Sequence, residues 1–237
     1  MSVSLPGWCL LAAVLVALAA LAPARAQEIG SHIKTFEPAN VPDSIHLTDL
    51  DRARMTFDAY TACLMQRSAR ALKSALSLAV DDPAYKRTVE NLAVEDCLRA
   101  GELKFPVGMM RGGFYVALYR RDFARKNPPL GNAPLFPYSD FANSGSPAVR
   151  EHDRLIAFAD CAVHKDPAAS RALVLGPTAS KQELAAFTVL SPSLMACTPR
   201  DGSVHFFKPM LYGLIAEALY RESVAAVPSA EIAKVVH

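Results

Sequence analysis

Residues 97–121 read CLRAGELKFPVGMMRGGFYVALYRR, and residues 197–221 read CTPRDGSVHFFKPMLYGLIAEALYR. At an offset of 101, Gly101, Phe105, Gly112 and Ala117-Leu118-Tyr119-Arg120 recur as Gly202, Phe206, Gly213 and Ala218-Leu219-Tyr220-Arg221. Cys97 recurs as Cys197. The apolar positions Met110, Phe114, Ala117 and Leu118 match Leu211, Ile215, Ala218 and Leu219. Their spacing of i, i+4, i+7 and i+8 lines one face of an α-helix. A glycine inside a helix costs about 0.5–1 kcal/mol relative to alanine. Its recurrence at Gly112 and Gly213 implies close backbone packing against another helix. The stretch therefore predicts an all-α chain built from two tandem copies of one unit.

Upstream, the same doubling continues. Thr48 or Asp49 caps a helix expected to reach about Leu78, and Ser146-Pro147 opens its counterpart with a cap followed by a first-turn proline. At an offset of 98, Phe57, Tyr60, Cys63 and Met65 match Leu155, Phe158, Cys161 and Val163. Phe57, Tyr60 and Leu64 hold a three-to-four-residue spacing, so each cysteine borders a buried face and reads as structural. A middle helix starts at Asp81-Asp82-Pro83 and is expected to run to about Arg99. In the second copy it is divided: Asp166-Pro167 opens a short helix, Gly176-Pro177 ends it, and Ser180-Lys181-Gln182-Glu183 has the pattern of a capping box. An interior proline costs roughly 3 kcal/mol, which predicts a break at Ser191-Pro192. The lead-ins Leu103-Lys104-Phe105 and Val204-His205-Phe206 read as short strands, a two-stranded ribbon between the copies.

The fold class is thus all-α, two tandem disulfide-stapled three-helix repeats over residues 47–126 and 146–223. A Pro-rich linker, 127–145, joins them, with Phe136, Tyr138 and Phe141 expected to tack it onto the body. An arm over 27–46 precedes them, and a tail over 224–237 follows. Residues 1–26 read as a signal peptide: an apolar run over 8–22, then Ala24-Arg25-Ala26 as an A-x-A cleavage pattern. The run is short for a membrane span, and the alternative is an uncleaved anchor. Without the leader, Arg25 and Cys9 are lost, leaving 24 basic and 23 acidic residues, a net charge of +1. Such a balance gives no reason to expect nucleic acid or a polybasic membrane surface.

Four cysteines remain, Cys63, Cys97, Cys161 and Cys197, an even count that in an exported chain points to two disulfides. Spacing leaves three pairings open. The doubling favours pairing within each copy, Cys63 with Cys97 and Cys161 with Cys197.

Motifs with chemistry are missing: HExxH, CxxC, CxxCH, a Gly-rich phosphate loop and GxSxG do not occur. Arg150-Glu151-His152-Asp153 is the one cluster of carboxylates and imidazole. Its neighbours at i±1 point away from the ring on a helix, so it reads as an exposed helix start. His164 follows Cys161 by three, but its counterpart is Gln66, and it reads as exposed near a helix end. His32 and His46 lack partners at ligand spacing, and His205 matches Lys104 on a strand's open side. The sequence therefore names no catalytic residue, no metal ligand and no cofactor. The matched Tyr119-Arg120 and Tyr220-Arg221 are the candidate binding residues, against a simpler reading in which the tyrosines close the core and the arginines are solvated.

Cys161, Asp166-Pro167, Ser180-x-x-Glu183, Cys197 and Ala218-Leu219-Tyr220-Arg221 together resemble a group of exported alphaproteobacterial proteins that carry a helical cysteine-pair unit, often in tandem. The resemblance is strongest in the second half. It implies a periplasmic location and brings no activity, because that group has no assigned function. The expectation is a periplasmic or secreted, non-enzymatic protein that binds or assembles in the envelope, its partner an envelope protein or a small ligand. The alternatives are a periplasmic hydrolase or cell-wall enzyme with a site between the repeats, and a small-ligand or lipid carrier.

Overall fold

The Thr48 hydroxyl accepts a hydrogen bond from the Asp51 amide at 3.1 Å and so starts the first helix, α1 (Asp49–Leu76). The computed structural model describes residues 47–92, 97, 107–130, 145–198 and 207–226. The leader and arm, the two lead-ins expected as strands, most of the Pro-rich linker and the tail beyond 226 lie outside the described residues. So do His32, His46 and His205.

All regular structure among the described residues is helical. The first half contributes α1, α2 (Pro83–Asn91) and α3 (Val107–Phe123). The second contributes α4 (Pro147–Lys165), α5 (Pro167–Leu175), α6 (Lys181–Cys197) and α7 (Lys208–Ala226). Asp82, Ser146, Asp166 and Ser180 each cap the helix that follows with a side-chain oxygen, as the cap-plus-proline and S-x-x-E patterns predict. The capping box closes one residue early: Glu183 Oε2 accepts from the amide of Ala179, which adopts a left-handed φ of 62°, at 2.7 Å. α1 carries a kink at Ser68, where the backbone leaves the helical region.

α3 and α7 form the centre. Phe114 to Tyr119 and Leu214 to Leu219 are buried all round, as expected of helices flanked by others on every side. α1 packs on α3, α4 on α7, and α6 on both α4 and α5. The two glycines of the opening stretch meet at the α3–α7 crossing. A Cβ on Gly112 would lie 2.7 Å from Gly213 Cα, and one on Gly213 would lie 2.6 Å from Gly112 Cα. Only two hydrogens fit between these backbones. The neighbouring Gly113 serves a different contact, against the Phe57 and Thr61 side chains of α1.

Both disulfides pair within their halves, Cys63–Cys97 and Cys161–Cys197, over sequence separations of 34 and 36. The break expected at Ser191-Pro192 does not occur: α6 runs through it. Pro192 and Thr188 are both exposed, so the Thr188 carbonyl that loses its i+4 amide partner faces water. The Ser191 hydroxyl adds a 2.8 Å bond to the Phe187 carbonyl. A proline on the solvent side loses a hydrogen bond without stranding a buried acceptor.

Candidate functional site

Three arginines buried to differing degrees hold helix C-termini, whose last carbonyls lack partners within the helix. Arg111 of α3, 3% exposed, donates to the Leu76 and Leu78 carbonyls at the end of α1, at 2.9 and 3.2 Å. Arg120 donates to the Val174 and Gly176 carbonyls at the end of α5, both at 2.8 Å. Arg171 of α5 donates to the Phe123 and Ala124 carbonyls at the end of α3, at 2.8 and 3.1 Å. Each places a cation where the helix dipole is negative.

The candidate binding residues are drawn into this framework. Tyr119 is fully buried, stacks on Phe123, and its hydroxyl accepts from Arg171 at 2.7 Å. Arg120 also reaches Asp58 and the Tyr212 hydroxyl, each at 2.6 Å. Burial pushes the Tyr212 phenol up to about 12 despite the opposing Arg120 charge. Tyr220 packs edge-on to Phe123, and its hydroxyl donates to Asp122 at 3.2 Å. Arg221 pairs with Glu217. Phe123 thus brings the two tyrosines together. The two arginines diverge, Arg120 toward the end of α5 and Arg221 back along α7.

Two clusters that sequence reasoning passed over lie along α7. The first surrounds Glu217, 2% exposed. Arg111 Nε and Nη2 approach its carboxylate at 3.2–3.4 Å, Arg221 contacts it from the next turn, and His152 Nε2 lies 3.2 Å from Oε2. Since a carboxylate only accepts, His152 carries its proton on Nε2 in this contact. Burial alone would raise the Glu217 carboxyl. The His152 hydrogen bond and the Arg221 and Arg111 charges outweigh it and hold the group down at about 2. His152 is therefore not the exposed helix start expected; its side chain is 17% exposed and turned inward onto α7. Asp153 stays near its ring at 3.7 Å, and Glu151 pairs with Arg154.

The second cluster is Asp160, His164 and Glu222. Asp160 and Glu222 are each 1% exposed, and the His164 side chain is 17% exposed. His164 Nδ1 lies 3.0 Å from Glu222 Oε1, 4.0 Å from Asp160 Oδ2, and 3.2 Å from the Asp160 carbonyl one turn back. One ligand-type atom from each residue falls within 4.8 Å of the others. Neither Glu222 oxygen accepts a hydrogen bond. Burial, then a hydrogen bond to the facing Asp160 carboxyl and that group's charge, raise Glu222 to about 9. His164, expected to be exposed, is instead a member of this buried group, because α7 crosses α4 at the turn that carries it.

The signal that would have found both clusters is a mismatch between the halves. At an offset of 101, Glu217 replaces Val116 and Glu222 replaces Arg121. At 98, Asp160 replaces Ala62 and His164 replaces Gln66. Glu217 is buried at the position matching the buried Val116, and Asp160 is buried where Ala62 is only partly covered. No known protein family matches the chain, and neither does any curated protein or solved structure.

Proposed function

We propose that this is an exported protein, periplasmic or secreted, that acts by binding a protein partner in the cell envelope and not by catalysis. The two halves are, on this reading, copies of one disulfide-stapled unit of the kind the resemblance suggested. The leader-like segment ending Ala24-Arg25-Ala26 and the two disulfides support export. Among the described residues, no helix is long and apolar enough to cross a membrane. The matching helices and the facing glycines support the doubling.

The observation that carries the binding reading is the outer face of α6. Leu184, Val189 and Met195 are 57%, 61% and 77% exposed there, with Ala185, Pro192 and Ala196 exposed beside them. Large exposed apolar side chains spread over the solvent side of one helix are the kind of surface that seats another protein. The rival, an enzyme with its site where the halves meet, finds less support. The charged groups at that junction, Arg111 and Glu217, are 3% and 2% exposed and paired with each other, while Arg111 also holds the end of α1.

The test places a photoreactive residue at Val189 in cells that export the chain. A discrete adduct with one envelope protein is expected. The purified pair should then bind saturably, and Leu184→Glu should weaken that binding at least about tenfold with the helical circular dichroism unchanged. Adducts no more abundant than from a control at Lys86, whose side chain is 63% exposed, would refute the proposal.

A further inference from the structure

We propose that Asp160, His164 and Glu222 form a binding site for one divalent first-row transition-metal ion. The inference stands on donor geometry and is independent of the α6 face.

The donor set is one imidazole and two carboxylates. Imidazole suits zinc, copper, iron and nickel, and carboxylates extend the range toward manganese. With metal–ligand bonds of about 2.0–2.2 Å, neighbouring ligand atoms sit about 3.4 Å apart around a tetrahedral ion and about 3.0 Å apart around an octahedral one. His164 Nδ1, which releases its proton on coordinating an ion, is already 3.0 Å from Glu222 Oε1 and 4.0 Å from Asp160 Oδ2. The largest separation in the set, within 4.8 Å, closes to a ligand edge by side-chain rotation of little more than an ångström. Helices held by the Cys161–Cys197 disulfide and the α4–α7 packing carry the three ligands, so only the side chains need move. A partly exposed His164 beside two buried acids leaves one side for water or an exchanging ligand, in keeping with a three-ligand open site.

Two further observations point the same way. Glu222 is 1% exposed and its oxygens accept no hydrogen bond, and among the described residues His164 is the only basic group that contacts it. Compare Glu217, five residues earlier on the same helix, which is met by Arg111, Arg221 and His152. A buried carboxyl group without such partners is costly unless a cation or a proton neutralises it. In addition, all three positions carry ligand-type residues in the second half, and none does in the first, where Ala62, Gln66 and Arg121 stand. Three separate changes, from two helices, converge on one point in space.

The experiment is titration of the disulfide-intact, chelator-treated protein with Zn²⁺ alone, followed by calorimetry and by X-ray absorption at the zinc edge. One equivalent is expected to bind with a micromolar or tighter dissociation constant, in a nitrogen/oxygen environment with one imidazole and no sulfur. His164→Gln, which installs the residue of the first half, and Glu222→Gln should each weaken binding by at least about 100-fold, beyond the 10–100-fold typical of outer partners of a metal site. His152→Gln should leave it unchanged. Failure of the wild-type protein to bind zinc below about 100 μM overturns the proposal. So does binding that both His164→Gln and Glu222→Gln leave intact, which would assign the ion to other histidines. Loss of the α6 adduct in cells would leave the zinc result unaffected.

Discussion

Replacing Gly112 by alanine tests the central packing argument, because two opposing effects of known size meet at one methyl group. In a helix interior, alanine is favoured over glycine by about 0.8–1 kcal/mol. Against that, the new Cβ would lie 2.7 Å from Gly213 Cα, where ordinary contact begins at 3.4 Å. The obstructing atom is backbone, so no rotamer change relieves it. α3 and α7 must part by close to an ångström along the contact where Arg111 meets Glu217 and Tyr115 meets Tyr220. Overpacking of a core typically costs 1–3 kcal/mol, and an immovable neighbour places this case at the upper end. The net expectation is a loss of about 2 kcal/mol, or roughly 4–8 °C in Tm for a chain of this size.

Gly108 supplies the control in the same helix: a Cβ there meets nothing within 4 Å. Gly108→Ala should stabilise by about 0.5 kcal/mol, since a first-turn position gains less than the full propensity. Urea unfolding followed by far-UV circular dichroism measures both, with disulfides intact and m unchanged. The double variant Gly112→Ala/Gly213→Ala should cost less than the sum of the singles, because helices already parted accept the second methyl more easily. If Gly112→Ala stabilises as Gly108→Ala does, the helices do not cross at these glycines and the reasoning fails.

Three other outcomes follow from the same structure. Replacing Cys161 and Cys197 by serine opens a loop with a sequence separation of 36, and the chain-entropy model puts the loss at roughly 4 kcal/mol, measurable as a shift in urea midpoint. Pro192→Ala restores an amide to the Thr188 carbonyl in the middle of α6 and should stabilise by about 1–2 kcal/mol, less than the full cost of an interior proline because water already solvates that carbonyl; a destabilised variant would mean that α6 is bent at this point. Glu217 is held down at about 2 against an unfolded value near 4.3. Its stabilisation is thus fully present above the unfolded value and is lost as pH falls toward 2. The loss is of order 3 kcal/mol, and Glu217→Gln should flatten that acid limb in pH-dependent urea unfolding.

Much of the fold was legible because it depends on local signals. Caps with first-turn prolines located the starts of α2, α4 and α5, and a 3.6-residue apolar period marked which faces are buried. The glycine pair was legible as a packing device, but its partner was not: nothing in the chain states that each half's glycine packs on the other's. Pro192 was misjudged because helix rules price the lost hydrogen bond without knowing whether the orphaned carbonyl faces core or water. The candidate site was the least legible part. His152 and His164 were judged by their sequence neighbours, while the residues that define their surroundings, Glu217 and Glu222, arrive from a helix about 60 residues away. Arg111 and Arg171 carried no signal in the sequence, and Arg120 stood out only as a candidate binding residue; each works at the end of a different helix from its own.

Glu217 and Glu222 show why burial alone does not determine what a carboxyl group does. They lie on one helix and are 2% and 1% exposed, so desolvation acts on both in the same direction. Around Glu217, two guanidinium groups and an imidazole outweigh it, and the carboxylate is a fixed anion that ties α3, α4 and α7 together. Around Glu222 stand the His164 imidazole and the Asp160 carboxyl, and Asp160 opposes ionisation. The first arrangement is complete without any further group, and a substitution there should be read as damage to the fold. The second sets two buried carboxyl groups against one imidazole, an arrangement that costs stability unless a proton or a metal ion joins it. The matching positions of the first half hold Ala62, Gln66 and Arg121, which would serve packing at this turn without a buried acid. The polarity of the second cluster is therefore better explained by something it binds than by anything it holds together.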